Sequence, residues 1–220
     1  MSQSDTPNEQ IHQQEQILST GASIEEADVA MILVHGRGAS AQDILGLSSQ
    51  LTATGMVYIA PQAAGHTWYP YSFLEPIEQN EPYLTSALQR MAELVAMLED
   101  AGIPAERTIL AGFSQGACLI SEFAARNARR YGGLVAFSGG VIGPPGTPRD
   151  YDGSLDGTPA FLGCSDIDPH IPVERVHETD EVLRNLGASV TTQIYPGMGH
   201  TINRDELAQA QRIVDGLSPL

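Results

Sequence analysis

The sequence predicts an α/β fold in which a mostly parallel central sheet carries helices on both faces. Three observations lead there. Short runs that are apolar at consecutive positions, such as Val29 to Val34 and Leu134 to Phe137, alternate with longer segments whose apolar residues recur at helical spacing. Consecutive apolar residues suit strands covered on both faces, as parallel strands are. The residues able to carry chemistry fall in the loops after such runs, where open α/β sheets hold their ligands. A length of 220 residues fits one compact domain. Residues 1–10, rich in Ser, Gln, Asp and Asn without periodicity, are expected to form a flexible arm, and residues 11–220 the domain.

Taken in order, Ile11 to Ser19 reads as an edge strand turning at Thr20-Gly21-Ala22-Ser23, and Asp28 to Val34 as a buried strand ending at His35-Gly36-Arg37-Gly38. Ser40, with Asp43 three places on, has the pattern of a capped helix start, and Ile44, Leu47 and Leu51 continue its apolar face. Met56 to Ala60 is the next strand. Pro61 to Pro82 is a long connection holding Trp68, Tyr69, Tyr71 and Phe73, and connections of that length are more often functional than idle. Leu84, Leu88, Met91, Leu94, Val95 and Leu98 mark a helix from Tyr83 to Ala101, stopped by Gly102 and Pro104. Thr108 to Ile120 passes from strand through a turn into a helix expected to reach Arg130. Leu134 to Phe137 and Ala160 to Cys164 are strands joined by a Gly- and Pro-rich loop. A helix from Pro172 to Leu186, a strand from Ala188 to Tyr195 and a helix from Asn203 to Leu217 complete the chain.

The formal net charge is -16, and every one of the 11 cationic residues is arginine. Such a surface repels phosphate backbones and anionic lipid, which argues against nucleic acid or a membrane surface as the partner. No apolar run is long enough to span a bilayer, and Met1 to Gln16 is polar rather than a charged-then-apolar leader, so the expected location is the cytoplasm. The two cysteines, Cys118 and Cys164, lie in apolar segments and read as buried, reduced thiols.

The chemistry centres on Gly112-Phe-Ser-Gln-Gly116. A sharp strand-to-helix turn presents a serine hydroxyl at the rim of a sheet, and the residues two before and two after it must be small for strand and helix to approach. Gly112 and Gly116 meet that need around Ser114. The base is His200, in the loop Pro196-Gly-Met-Gly-His-Thr201 between a strand and a helix, where Gly197 and Gly199 let the chain approach Ser114. The orienting acid should come from Gly163-Cys-Ser-Asp-Ile-Asp-Pro-His-Ile-Pro172, where Asp166 and Asp168 compete. Asp168 is held extended by Pro169, whereas Asp166 is better placed to bond loop N–H groups. The order Ser, Asp, His is that of the α/β hydrolases. Gln115 N–H and Arg37 N–H are the candidate donors for a developing oxyanion. The Arg37 side chain, close by, points to a preference for esters carrying a carboxylate. His35 reads as structural. Trp68, Tyr69 and Ile171 are candidate substrate contacts. Asp166, Asp168, His170 and His177 lack the spacing of a metal site, and no phosphate-binding glycine pattern is present, so neither metal nor cofactor is expected.

Leu33-Val-His-Gly-Arg-Gly38, Ala60-Pro-Gln62, Thr67-Trp-Tyr-Pro70, Gly112-Phe-Ser-Gln-Gly-Ala117, Phe137-Ser-Gly-Gly140, Asp168-Pro-His-Ile-Pro172 and Gly199-His200 together resemble the phospholipase/carboxylesterase family, which includes the acyl-protein thioesterases. The similarity covers about residues 28 to 216. It implies an α/β-hydrolase fold, favours Asp168 as the acid, and implies a serine esterase acting on small-molecule carboxylic esters. Long-chain acyl-protein thioesterase or lysophospholipase activity is the alternative, and a ligand-binding protein without catalysis a further one. Family members often form dimers, so the resemblance also implies a homodimer. His35-Gly-Arg-Gly38 stands where the thioesterases commonly have H-G-L-G, and the Pro61 to Pro82 connection differs in length and sequence, which places the chain nearer the bacterial esterases of the family.

Overall fold

The computed structural model describes residues 10–217, so most of the expected N-terminal arm lies outside the described residues. The strand Val29–Val34 (β2) is buried at every position and feeds two cores at once. Ala30, Ile32 and Val34 face one core, and Val29, Met31 and Leu33 face the other. That two-sided burial is what a continuously apolar strand requires.

Six further strands join it: Ile17–Gly21 (β1), Met56–Pro61 (β3), Thr108–Phe113 (β4), Gly133–Phe137 (β5), Pro159–Ser165 (β6) and Ser189–Tyr195 (β7). The sheet order is β1-β3-β2-β4-β5-β6-β7. Only β1 runs antiparallel, paired with β3 at the edge. The other neighbours are parallel, with Val34 opposite Gly112 and Phe113 opposite Phe137. The helices Tyr83–Asp100 (α2), Gln115–Arg126 (α3) and Val173–Asn185 (α4) cover one face, while Ala41–Leu45 (α1) and Arg204–Asp215 (α5) cover the other. The strand order reverses at β2, which is flanked by β3 and β4, and such reversals open a crevice at the carboxyl ends of the strands.

Side-chain caps fix the starts of two helices, α1 and α5. Ser40 and Asp43 form the expected reciprocal cap on α1, and Asn203 with Glu206 forms another on α5. Beyond Leu45 the chain tightens into a 3-10 turn at Gly46–Ser49. Three expectations are corrected. The segment from Ile11 is not strand until Ile17, because His12 is drawn inward: its N–H donates to Ser86 Oγ at 3.1 Å, and its ring bridges Trp68 O at 3.0 Å and Ala64 N at 3.1 Å. The helix α3 ends at Arg126 rather than Arg130, because Ala128 leaves helical geometry to pair with Gly153. The last helix stops at Asp215, capped by Gly216. Among the described residues no helix is long and apolar enough to cross a membrane.

One carboxyl group is buried where β6 meets α5. Glu206 is 0 % exposed; its Oε2 accepts the Asn203 N–H at 2.8 Å, and Oε1 has no partner among the described residues. A Cβ at Gly163 would lie 2.4 Å from that Oε1, so the glycine makes room for the acid. Burial, with the Asp205 carboxylate nearby, pushes the Glu206 carboxyl up from 4.5 to about 7. The unfolded chain then releases this proton at lower pH than the folded one, so stability falls as pH rises between 4.5 and about 7 and is level above. Glu206→Gln removes the charge and keeps the shape. Its stability relative to the native protein, from urea unfolding across that range, should rise with pH by up to about 3 kcal/mol; a difference that stays flat would contradict this account.

Candidate active site

Ser114 stands between β4 and α3 at φ 56° and ψ -120°, a conformation that costs a non-glycine residue about 1–3 kcal/mol. Two short backbone links hold it there: its N–H donates to Phe137 O at 2.9 Å, and its carbonyl accepts from Cys118 N at 2.9 Å. The approach on either side tolerates no side chain. A Cβ at Gly116 would lie 2.1 Å from Val34 O, and one at Gly112 would lie 2.6 Å from the Gly116 carbonyl carbon. Gly36 also abuts the serine, since a Cβ there would lie 3.3 Å from Ser114 Cβ.

Three distant side chains meet at this turn. His200 Nε2 lies 2.8 Å from Ser114 Oγ, and His200 Nδ1 lies 2.7 Å from Asp168 Oδ2. The Asp168 side chain is buried and its other oxygen, Oδ1, accepts the N–H groups of His170 at 2.8 Å and Ile171 at 3.1 Å. Burial alone would raise this carboxyl; the hydrogen bonds from His200, His170 and Ile171 outweigh it and hold the group below the usual carboxylate range. Asp168 is therefore ionised, the state that fixes one imidazole tautomer and stabilises imidazolium. The arrangement allows the serine hydroxyl to pass its proton to the imidazole as it attacks a carbonyl carbon.

The competing aspartate does other work. Asp166 Oδ1 accepts the Gly197 N–H at 2.7 Å, and Ser165 Oγ accepts the Gly199 N–H at 3.2 Å, so both pin the loop that carries His200. Gly197 and Gly199 sit at φ 70° and 69°, which lets the loop turn back over the site. The Phe113 ring packs on the His200 ring with centroids 4.8 Å apart, and His170 meets it edge-on at 4.8 Å.

The serine opens into a cleft of about 610 Å³ whose lining includes Arg37, Tyr69, Phe73, Phe113, Gln115 and Ile171. Among the described residues no acceptor is paired with the backbone N–H of Arg37 or of Gln115, so both remain open as donors. The cleft residues include Tyr69, Pro70, Tyr71, Ser72 and Phe73 from the long connection. Of the three candidate substrate contacts, Tyr69 and Ile171 line the cleft. Trp68 does not: it is fully buried behind the loop, its indole N–H donating to His35 O at 2.9 Å. His35 is structural, with Nε2 accepting the Ala63 N–H at 3.1 Å and burial lowering its pKa so that the ring stays neutral. Cys118, on the cleft floor, and Cys164 are free, buried thiols pushed up to about 12 by burial.

The sequence reading missed what the side chains of Gln115 and Arg37 do. Gln115 Oε1 accepts the Trp68 N–H at 2.9 Å and the Thr67 hydroxyl at 3.2 Å, while its Nε2 donates to Tyr69 O at 2.8 Å. Arg37 donates to Pro70 O at 2.8 Å and to Tyr71 O at 2.6 Å. No local pattern announces contacts between residues so far apart in the chain. Among the described residues no group of three or more His, Cys, Asp and Glu side chains is arranged to hold a metal ion.

A seven-stranded, mostly parallel sheet with a strained serine turn after its middle strand is the architecture of the α/β hydrolases. A family model for phospholipase/carboxylesterases matches residues 15–217, and the chain belongs to that family. It is similar to a phospholipase/carboxylesterase from Dyadobacter fermentans of known crystal structure: 45% identical, with a TM-score of 0.88 over 91% of this chain and 96% of that one. Acyl-protein thioesterase 1 of the yeast Debaryomyces hansenii is 26% identical over 216 residues, covering 88% of this chain and 93% of that protein. The Bacillus cereus carboxylesterase, 17% identical with a TM-score of 0.73 over 97% of this chain and 100% of that one, shares the fold.

The glycine requirement is open to direct test. Gly116→Ala should lose about 3 kcal/mol or more in urea unfolding, or fail to fold, because the new methyl meets backbone rather than a movable side chain. Gly46→Ala, at a φ of -55° with nothing within 4 Å of the added carbon, should stay within about 0.5 kcal/mol of the native protein.

Proposed function

We propose that the protein is a serine carboxylesterase that hydrolyses small to medium carboxylic esters through an acyl-enzyme intermediate. The observation that carries this reading is the continuous line Ser114–His200–Asp168, with contacts of 2.8 and 2.7 Å, opening into an apolar-walled cleft. In the first half-reaction Ser114 Oγ attacks the ester carbonyl carbon and its proton passes to His200 Nε2. Asp168 stabilises the imidazolium, and the N–H groups of Arg37 and Gln115 hold the oxyanion. His200 then gives the proton to the departing alcohol. In the second half-reaction a water molecule loses its proton to His200, attacks the acyl carbon and releases the acid, restoring the serine.

A second reading has one observation in its favour: the Debaryomyces hansenii relative is an acyl-protein thioesterase. On that reading the same three residues would cleave long-chain acyl thioesters. The cleft walls bear on the choice. Phe73 and Ile171 are almost fully buried among the lining residues, and a cleft of about 610 Å³ is of the size that takes a small to medium ester.

Two measurements test the proposal. Ser114→Ala should lower p-nitrophenyl ester hydrolysis by roughly 10⁴-fold or more while far-UV circular dichroism and the urea midpoint stay close to native; near-native turnover in the variant would end the assignment. Across p-nitrophenyl esters from acetate to palmitate, kcat/KM should peak at short to medium chains and fall beyond. A rise continuing to palmitate would favour the thioesterase reading instead.

A further inference from the structure

Three consecutive carbonyls of the cleft loop, those of Tyr69, Pro70 and Tyr71, are held by side chains that project from the two proposed oxyanion-donor residues. Gln115 Nε2 takes the first at 2.8 Å, and the Arg37 guanidinium takes the second and third at 2.8 and 2.6 Å. The guanidinium also sits over the Tyr69 ring, 6.0 Å from its centroid. In a chain of net charge -16 this cation has no carboxylate within ion-pair distance among the described residues. Its donors are directed at main-chain oxygens instead.

A guanidinium presents its N–H groups in a rigid planar fork, so two carbonyls bound to one arginine are fixed in spacing and direction. The Arg37 side chain reaches the loop from a cleft-lining residue whose main-chain N–H has no acceptor among the described residues. Gly38 N–H donates to His66 O at 2.8 Å, so the peptide on the far side of Arg37 is also anchored to the long connection. We infer that Arg37 is a positioning residue: its guanidinium, by clamping Pro70 and Tyr71, holds the His35–Gly38 turn and the cleft wall as one unit and thereby aims the Arg37 N–H at the oxyanion. This rests on the esterase reading of the site. It also revises the expectation that the Arg37 charge selects esters bearing a carboxylate, since the clamp serves neutral and anionic esters alike.

The test compares Arg37→Ala and Arg37→Lys with the native protein on p-nitrophenyl butyrate and on the p-nitrophenyl monoester of succinate. An oxyanion donor acts in the transition state, so Arg37→Ala should lower kcat by roughly 10- to 100-fold on both esters with KM changed by less than about threefold. Millimolar guanidinium chloride should restore part of kcat in Arg37→Ala, whereas tetramethylammonium chloride at equal ionic strength should not. Arg37→Lys should remain impaired, because one ammonium cannot reproduce the fork. Hydrogen exchange supplies a readout independent of turnover: the amides of residues 68–73 should exchange faster in Arg37→Ala, with the rest of the sheet unchanged. A rise in KM at constant kcat, a loss confined to the succinate monoester, or failure of guanidinium to restore turnover would overturn the inference. If the native protein cleaved neither ester, the esterase reading would fall, and unchanged exchange in residues 68–73 would separately overturn the clamp.

Discussion

The passage from β4 into α3 holds Ser114 at φ 56° because Gly112 and Gly116 let strand, helix and the end of β2 close to within main-chain contact. The strain of that turn, about 1–3 kcal/mol, is offset by the packing around it. Helix α3 is buried along nearly its whole length, and the hydrogen bond from Ser114 N–H to Phe137 O ties the turn to the neighbouring strand. A serine at this point faces the crevice where the strand order reverses. Loops after β2, β4, β6 and β7 reach it without long excursions, which is why residues separated by 86 positions, Ser114 and His200, can share a hydrogen bond.

Around that turn the polar groups form successive layers. Asp168 faces His200 with one oxygen and two main-chain N–H groups with the other, so its charge is directed as well as stabilised. Behind the histidine, Asp166 and Ser165 hold the Pro196–Thr201 loop. Elsewhere around the cleft, Gln115, Arg37, His35 and His12 fix the long connection mainly through its main chain, with the Thr67 hydroxyl and the Trp68 indole adding two side-chain contacts. A loop secured in this way keeps the cleft residues Tyr69, Tyr71 and Phe73 in fixed positions, and such preorganisation lowers the ordering cost of binding.

Much of this was legible in the sequence because its signals are local. Continuous apolar runs marked β2, β4, β5 and β6, and the Ser40–Asp43 pattern marked the capped start of α1. The small residues flanking Ser114 and the glycines before His200 announced their turns, and the order of serine, aspartate and histidine announced the geometry. What was not legible depends on long-range polar contacts. His12 looks like part of an edge strand until its ring is seen to bridge Trp68 and Ala64, and Trp68 looks like a cleft residue until its indole is found turned toward His35 O. Arg37 carries a charge that in sequence points to a ligand, yet its donors meet two carbonyls more than thirty residues away.

The central claim is that Ser114, through its contact with His200, is the nucleophile of an acyl transfer. The most direct measurement is to react the folded protein with a fluorophosphonate, digest it and locate the adduct by mass spectrometry, since such reagents mimic the tetrahedral state at an activated serine. The account predicts one adduct per chain, on the peptide containing Ser114, and its disappearance when His200 is replaced by alanine. No adduct, or an adduct on a different residue that forms as fast in the His200→Ala protein, would contradict it.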